Sequence, residues 1–365
     1  MTARLSRRTL LATAAGVTTL PLHAQVTPRR FEPQVGAWRT FELTTQVNVP
    51  VAKGRTQVWL PIPDLETDYQ RSIDNQWSGN AAQVRVVADP LRGVRMLRAE
   101  FAENVGAPSL TLVSRLQTRS RAVDWTRTGQ VSEDPALLRA TLEPTQLLPL
   151  DGIVRKTAVA ATRGASTDVD KVRAIYDWVV VNAHREPKTR GCGTGDIQAM
   201  LETGNLGGKC ADLNAVFVGL CRSVGVPARD VYGLRLAPSA FGYRELGANP
   251  ASLKGAQHCR AEVFLRQHGW VAMDPADVLK VMRQETPEWI KDPKHAVAAP
   301  VVKGLFGGWE GNWVGWNTGH DITLPGQSGK ATLPFLMYPN GEDAVGRYDE
   351  LAPDDFRYTM SAKEA

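Results

Sequence analysis

The sequence predicts an α+β fold: helices packed on an antiparallel sheet, preceded by a β-sandwich-like N-terminal domain. Three observations carry this. Residues 38–119 alternate apolar and polar side chains with the period of half-buried strands, residues 133–224 carry apolar stripes at helical spacing, and strand-like runs return after residue 228. With 365 residues, 43% apolar and 22% charged, the chain can build two or three packed layers and is not disordered by composition.

Residues 1–24 read as an export leader. S-R-R-T-L-L at 6–11 is a twin-arginine pattern, followed by a small, apolar stretch at 12–22 and a cleavage signal at Leu22, His23 and Ala24. Removal of the leader predicts a periplasmic or otherwise extracytoplasmic protein. No later run reaches the ~18 apolar residues of a membrane helix, so stable membrane insertion is not expected. Without Arg4, Arg7 and Arg8 the formal charge falls from +5 to +2, and no other basic run is present. Nucleic acid is therefore excluded as the main partner. Nucleotide binding is excluded too, for lack of a glycine-rich phosphate loop ending in Lys-Ser/Thr.

The β-rich domain is expected over 25–128. Phe41, Leu43, Thr45, Val47 and Val49 alternate with Thr40, Glu42, Thr44, Gln46 and Asn48, and further strand-like runs lie at 56–60, 83–87, 94–101 and 110–118. Glycine- and proline-bearing turns at 50–54, 61–64 and 89–93 separate them, as in a sandwich.

A second unit is expected over 129–295. Thr167 with Asp170 makes a helix-start box, and Val172, Ile175, Tyr176, Val179, Val180 and Ala183 form one apolar stripe. A loop containing Pro187, Gly191, Gly193 and Gly195 leads to a short helix at 197–201. The next helix begins near Cys210, carries Leu213, Val216, Phe217, Leu220 and Val224 on one face, and is ended by Gly225 and Pro227. Strands are expected at 231–236, 261–265 and 270–273. Residues 296–365 form a Trp- and Gly-rich extension with strand-like runs near Trp313, Leu333 and Phe356.

Cys210 in G-G-K-C-A-D, His258 in Q-H-C-R-A-E-V-F and Asp274 in G-W-V-A-M-D-P come from three separate elements. They suit nucleophilic catalysis: a helix N-terminus and an imidazolium raise the thiolate fraction, and a carboxylate orients the ring. If Phe264 pairs with Trp270, Asp274 falls opposite Arg260 and diagonal to His258. A tighter loop slides it away. Each residue also has an ordinary reading: a small buried hydrophobe, a core histidine, a turn residue before Pro275.

These motifs, with A-I-Y-D-W-V before them and G-V-P-A-R between Cys and His, resemble the bacterial transglutaminase-like superfamily over about residues 130–280. The resemblance implies a papain-like site with Cys210 as nucleophile, His258 as base and then acid, and Asp274 as orienter, acting on protein or peptide substrates. It also implies a β-rich segment before the core. Thioester chemistry of this kind requires no cofactor. Hydrolysis, making a peptidase or amidase, is slightly preferred over transfer to a second amine, which would make a cross-linking transglutaminase. A non-catalytic extracytoplasmic binding or assembly protein on the same fold is the remaining alternative.

Relatives commonly carry an aromatic residue two positions after the histidine, where this chain has Arg260; it either pairs with Glu262 or Asp274, the preferred reading, or binds a substrate carboxylate. Trp309, Trp313 and Trp316 either pack in the core or line an acyl groove. The oxyanion donor is expected to be the backbone N–H of Cys210, with Asn205, Lys209 or a tryptophan as a second donor. Asp212 reads as a helix-start charge. A zinc site is not expected: paired C-x-x-C spacing is lacking, and strand alternation would turn His258 and Cys259 to opposite faces. Cys221 lies three turns from Cys210, and Cys192 is expected to be the exposed extra thiol. At most one disulfide is compatible with a free nucleophile.

Overall fold

The computed structural model describes residues 29–354 and 356–365; the leader at 1–24 lies outside them. Six strands come first: β1 (Arg39–Asn48), β2 (Thr56–Pro61), β3 (Gln70–Gly79), β4 (Gln83–Ala88), β5 (Arg95–Phe101) and β6 (Ser109–Thr118). A short β7 (Arg121–Ala122) leads to helices α1 (Pro135–Ala140), α2 (Gly152–Ala161) and α3 (Asp168–Asn182). Then follow β8 (His184–Arg185), α4 (Ile197–Thr203), β9 (Gly207–Gly208), α5 (Cys210–Ser223), β10 (Ala228–Arg235), β11 (Arg260–Leu265), β12 (Gly269–Met273) and α6 (Pro275–Gln284). The chain closes with α7 (Ala299–Gly304), β13 (Gly308–Trp309), β14 (Trp313–Asn317), β15 (Asn340–Glu342) and β16 (Arg357–Glu364).

Two four-stranded antiparallel sheets, ordered β16-β1-β6-β3 and β15-β2-β5-β4, form a sandwich. Val47, Val49, Val58, Leu60, Leu97, Leu110 and Leu112 meet between them. Each sheet takes one edge strand from the C-terminal end of the chain, β16 beside β1 and β15 beside β2. β2 is buried along its whole length because Trp59 and Met96, on the other face of its sheet, pack under Ile322, Leu324, Leu333 and Leu336. β3 has no counterpart among the sequence-derived strands: Q-R-S-I-D-N-Q-W-S-G is polar and largely exposed, so no apolar alternation marks it.

The second unit packs helices on the antiparallel sheet β12-β11-β10-β14. The capping box forms, with Asp170 N donating to Thr167 Oγ1 at 3.1 Å and Thr167 N to Asp170 Oδ2 at 3.0 Å. α5 is not a one-faced helix: every residue from Cys210 to Ser223 is buried. A Cβ at Gly219 would come within 2.3 Å of Ile197 Cδ1, so glycine there permits the close crossing of α4. A helix walled in on all sides holds its first residue in a fixed place, and that residue is Cys210.

Candidate active site

Cys210 is the first residue of α5 and is 2% exposed. Asp212 fixes the surrounding backbone: it accepts from Lys209 N at 3.0 Å, Thr194 N at 2.9 Å and Gly195 N at 3.0 Å. It is thus the helix-start charge expected from sequence, and it also ties the 193–195 loop to α5. Ala211 N donates to Cys192 O at 3.0 Å, completing this anchorage.

His258 lies just before β11, on a stretch outside the regular ladder. Its N–H donates to Gly233 O at 3.0 Å and its carbonyl accepts from Trp313 Nε1 at 2.8 Å. β11 and β12 adopt the register that pairs Phe264 with Trp270, and the pairing continues to Leu265 with Gly269. Asp274 therefore emerges beside His258. Its Oδ2 lies 2.7 Å from His258 Nε2, while Oδ1 accepts from Asp277 N at 3.0 Å and Asn214 Nδ2 at 3.3 Å as the N-cap of α6. The turn reading and the orienting reading of Asp274 describe its two oxygens.

A second carboxylate is present. Asp277 Oδ2 is 3.3 Å from His258 Nε2, and Asp277 Oδ1 accepts from Arg235 Nη2 at 2.5 Å. Burial and Arg235 act to lower the His258 pKa, but Asp277 and Asp274 outweigh them and raise it to about 9. Burial and neighbouring Asp277 raise Asp274, whereas Arg235 and His258 overcome burial and hold Asp277 well below the usual carboxylate range.

The Cys210 thiol is held well below its ordinary value. Hydrogen bonds from the Cys192 and Cys259 thiols act against burial, joined by a hydrogen bond and the positive charge of His258. With Nε2 directed to the carboxylates, Nδ1 is the nitrogen left for sulfur. Both shifts run towards a thiolate beside an imidazolium. The three cations Arg235, His258 and Arg260 then face three anions, Cys210, Asp274 and Asp277, in one buried cluster.

Arg260 does not displace His258 from Asp274: its Nε stands 3.7 Å from Oδ2, Nη1 donates to Glu310 O at 3.1 Å, and its guanidinium lies over Trp309 and Trp313. Glu262 is taken by Arg121 and Arg229 instead. Trp309, Trp313 and Trp316 are all buried, and Trp313 steadies the His258 backbone. Of the other donors considered, the Asn205 side chain accepts from Gly207 N at 3.2 Å, and Lys209 is partly exposed.

Two thiol expectations are corrected. Cys192 is buried, 6% exposed, because its loop is pinned to α5. Residues 258 and 259 are not in a strand, so alternation does not govern them: Cys259 is fully buried, and it and His258 both bear on the ionisation of the Cys210 thiol. Cys221 is remote, raised by burial alone. His258, Asp274 and Asp277 offer ligand atoms within 4.8 Å of one another, but Arg235 and the imidazolium already supply the cations these carboxylates face.

Sequence reasoning missed Asp277 and Arg235. Both left a signal: Asp277 sits three residues after a helix-capping Asp, and Arg235 is the one charge in the run 231–237.

Residues 155–275 match the family model described as the transglutaminase-like superfamily. An uncharacterized protein of Haemophilus influenzae is 31% identical over 341 residues, covering 89% of this chain and 91% of the relative. The chain belongs to the transglutaminase-like superfamily. Also similar is YebA, an uncharacterized protein of Bacillus subtilis, 24% identical over 264 residues, 69% of this chain but 33% of that longer protein. Among solved structures, a candidate cysteine protease from Cytophaga hutchinsonii aligns over 90% of this chain and 99% of its own, with 16% identity and a TM-score of 0.49. This is a superfamily of thiol enzymes, and the helices-on-sheet core is its fold. Among the described residues no helix is long and apolar enough to cross a membrane.

Proposed function

We propose that the protein is an exported thiol enzyme that opens amide or peptide bonds through an acyl-Cys210 thioester, with water as the preferred acceptor. The observation that carries this is the 2.7 Å contact of His258 Nε2 with Asp274, which leaves Nδ1 to the thiol at the start of α5. The Cys210 thiolate attacks the carbonyl carbon, and charge develops on oxygen at the helix N-terminus, where the Cys210 backbone N–H and the helix dipole stabilise it. Imidazolium donates its Nδ1 proton to the departing amine. His258, now neutral, takes a proton from water as it attacks the thioester, and release of the acid restores the thiolate. Asp274 holds the ring in place throughout, and Asp277 adds a second negative charge that keeps it protonated until the amine departs. The twin-arginine leader supports action outside the cytoplasm, on protein or peptide substrates.

The test is iodoacetamide alkylation of each cysteine as a function of pH, followed by mass analysis of products from a peptide-amide pool with and without an added primary amine. Fast labelling of Cys210 at pH 6, lost in His258→Ala, together with acid products, supports the hydrolase. Amine adducts in place of acids move the assignment to a cross-linking enzyme. A reduced Cys210 that ignores both pH and His258 leaves a binding or assembly protein on this fold.

A further inference from the structure

Cys210 is not the lone thiol at its site. The Cys192 carbonyl accepts from Ala211 N, the amide next to Cys210, at 3.0 Å, and the Cys192 thiol donates to Gln257 O at 3.5 Å beside His258. Cys192 and Cys259 both bear on the ionisation of Cys210, and all four cysteines of the chain are free. Proposed acyl transfer makes no bond to either neighbour and takes no proton from it. A thiolate beside a second thiol is the arrangement in which a sulfenic acid is captured as a disulfide before it oxidises further.

We propose that Cys192 is a resolving thiol for Cys210, so that a peroxide converts the pair into a Cys192–Cys210 disulfide that reversibly shuts the site. This rests on the reading of Cys210 as an activated thiolate. Cys210 Sγ attacks one peroxide oxygen; the S–O bond forms as O–O breaks, and the departing hydroxide takes a proton to become water. Cys192 then loses its proton and attacks the same sulfur. The S–S bond forms as S–O breaks, and the hydroxyl leaves with a proton as a second water. Two thiols lose two electrons and two protons, and one peroxide becomes two waters.

Backbone placement selects Cys192 over Cys259. The Cys192 carbonyl is bonded to the amide next to Cys210, so the two main chains already lie side by side, and a disulfide requires such nearness. Cys192 is flanked by Gly191 and Gly193, both at positive φ, a conformation that lays its loop against α5. Gly193 is required for a second reason: a Cβ there would collide with the Asp212 carboxylate at 1.8 Å. Asp212 therefore holds the loop over α5 and keeps the second thiol at hand. Cys259 is bound on both sides, its carbonyl by Asn214 Nδ2 at 2.9 Å and the preceding residue by β10. Bridging it would displace His258.

The experiment treats the reduced full-length mature protein with stoichiometric hydrogen peroxide, blocks remaining thiols, and maps disulfides by mass spectrometry without reduction. A Cys192–Cys210 cross-linked peptide is expected, together with loss of iodoacetamide labelling at Cys210 and its return after dithiothreitol. In Cys192→Ser, the same dose should carry Cys210 to sulfinic acid, and dithiothreitol should not restore labelling; Cys259→Ser should still give the 192–210 cross-linked peptide and recover labelling after dithiothreitol. Circular dichroism confirms that each variant is folded. Absence of the 192–210 peptide, a 210–259 peptide instead, or full recovery in Cys192→Ser overturns the proposal. Because the cross-link is read by mass, its failure with Cys210 still labelled rapidly at pH 6 leaves the thiol-enzyme reading standing. Slow labelling at pH 6 together with no cross-link removes both.

Discussion

The two units of this molecule bury different things. Between the sandwich sheets lie Val47, Leu60, Leu97, Leu110 and Leu112, and the charges this unit buries, such as Arg98 on β5 and Glu342 on β15, lie outside that apolar layer, while the Arg55–Glu100 pair is at the surface. Around α5 the interior instead holds Asp212, Arg235, His258, Arg260, Glu262, Asp274 and Asp277. Apolar burial stabilises at no electrostatic cost, whereas each buried charge must be matched by a partner. The contrast teaches where the chemistry is. The sandwich is built for stability, and under the proposed function the core accepts the cost of buried charge because a poised thiol needs fixed charges in a dry place.

The contrast can be broken most severely at the nucleophile. Cys210→Ala should lower amide cleavage by on the order of 10⁴-fold or more, with a thermal midpoint near the parent's, measured by steady-state kinetics and calorimetry. If midpoint and activity fall together, the core is a stability element like the sandwich.

Next in size is charge pairing. Arg235→Met strips buried Asp277 of the guanidinium on its Oδ1, leaving His258 as the facing cation, and should cost about 3–5 kcal/mol in urea unfolding. A loss below about 1 kcal/mol would mean that water reaches the cluster. The matching sandwich variant, Leu60→Ala, should cost about 2–5 kcal/mol through its cavity while leaving the alkylation rate of Cys210 unchanged. A changed alkylation rate there would show that the units are not separable in function.

A smaller effect sharpens the electrostatic side. His258 holds its proton up to about 9, so turnover should fall on the alkaline side as pH rises through that value. In Asp277→Asn the limb should move down towards the ordinary histidine value of ~6.5, because a charge that favoured imidazolium is gone. An unmoved limb would assign the raised pKa to Asp274 alone. Smallest is the surface: Arg55→Ala should change stability by no more than about 0.5 kcal/mol, a control for charges that water already solvates.

Much of this was legible in the residue order. The β1 face from Phe41 to Val49, the Thr167–Asp170 box and the stop of α5 at Gly225 follow local periodicity and capping, and the structure has each. β3 was not legible because an exposed edge strand needs no apolar face. The burial of Cys192 was not legible either. It depends on Asp212 reaching 18 positions back to Thr194, a contact without a local pattern.

What the sequence determined by itself is whatever repeats within a few residues: strand and helix periods, caps, glycine stops, and the Cys, His and Asp motifs with their resemblance to the transglutaminase-like superfamily. Only the tertiary structure decided what sits around the thiol. The β11–β12 register brought Asp274 to His258, the bond from Arg235 made Asp277 a second carboxylate for the ring, and the pinned loop set Cys192 against Cys210. The physical reason is range. Periodicity and capping act between neighbours along the chain, while charge pairing and thiol contact act through space, between side chains that only the closed core brings together.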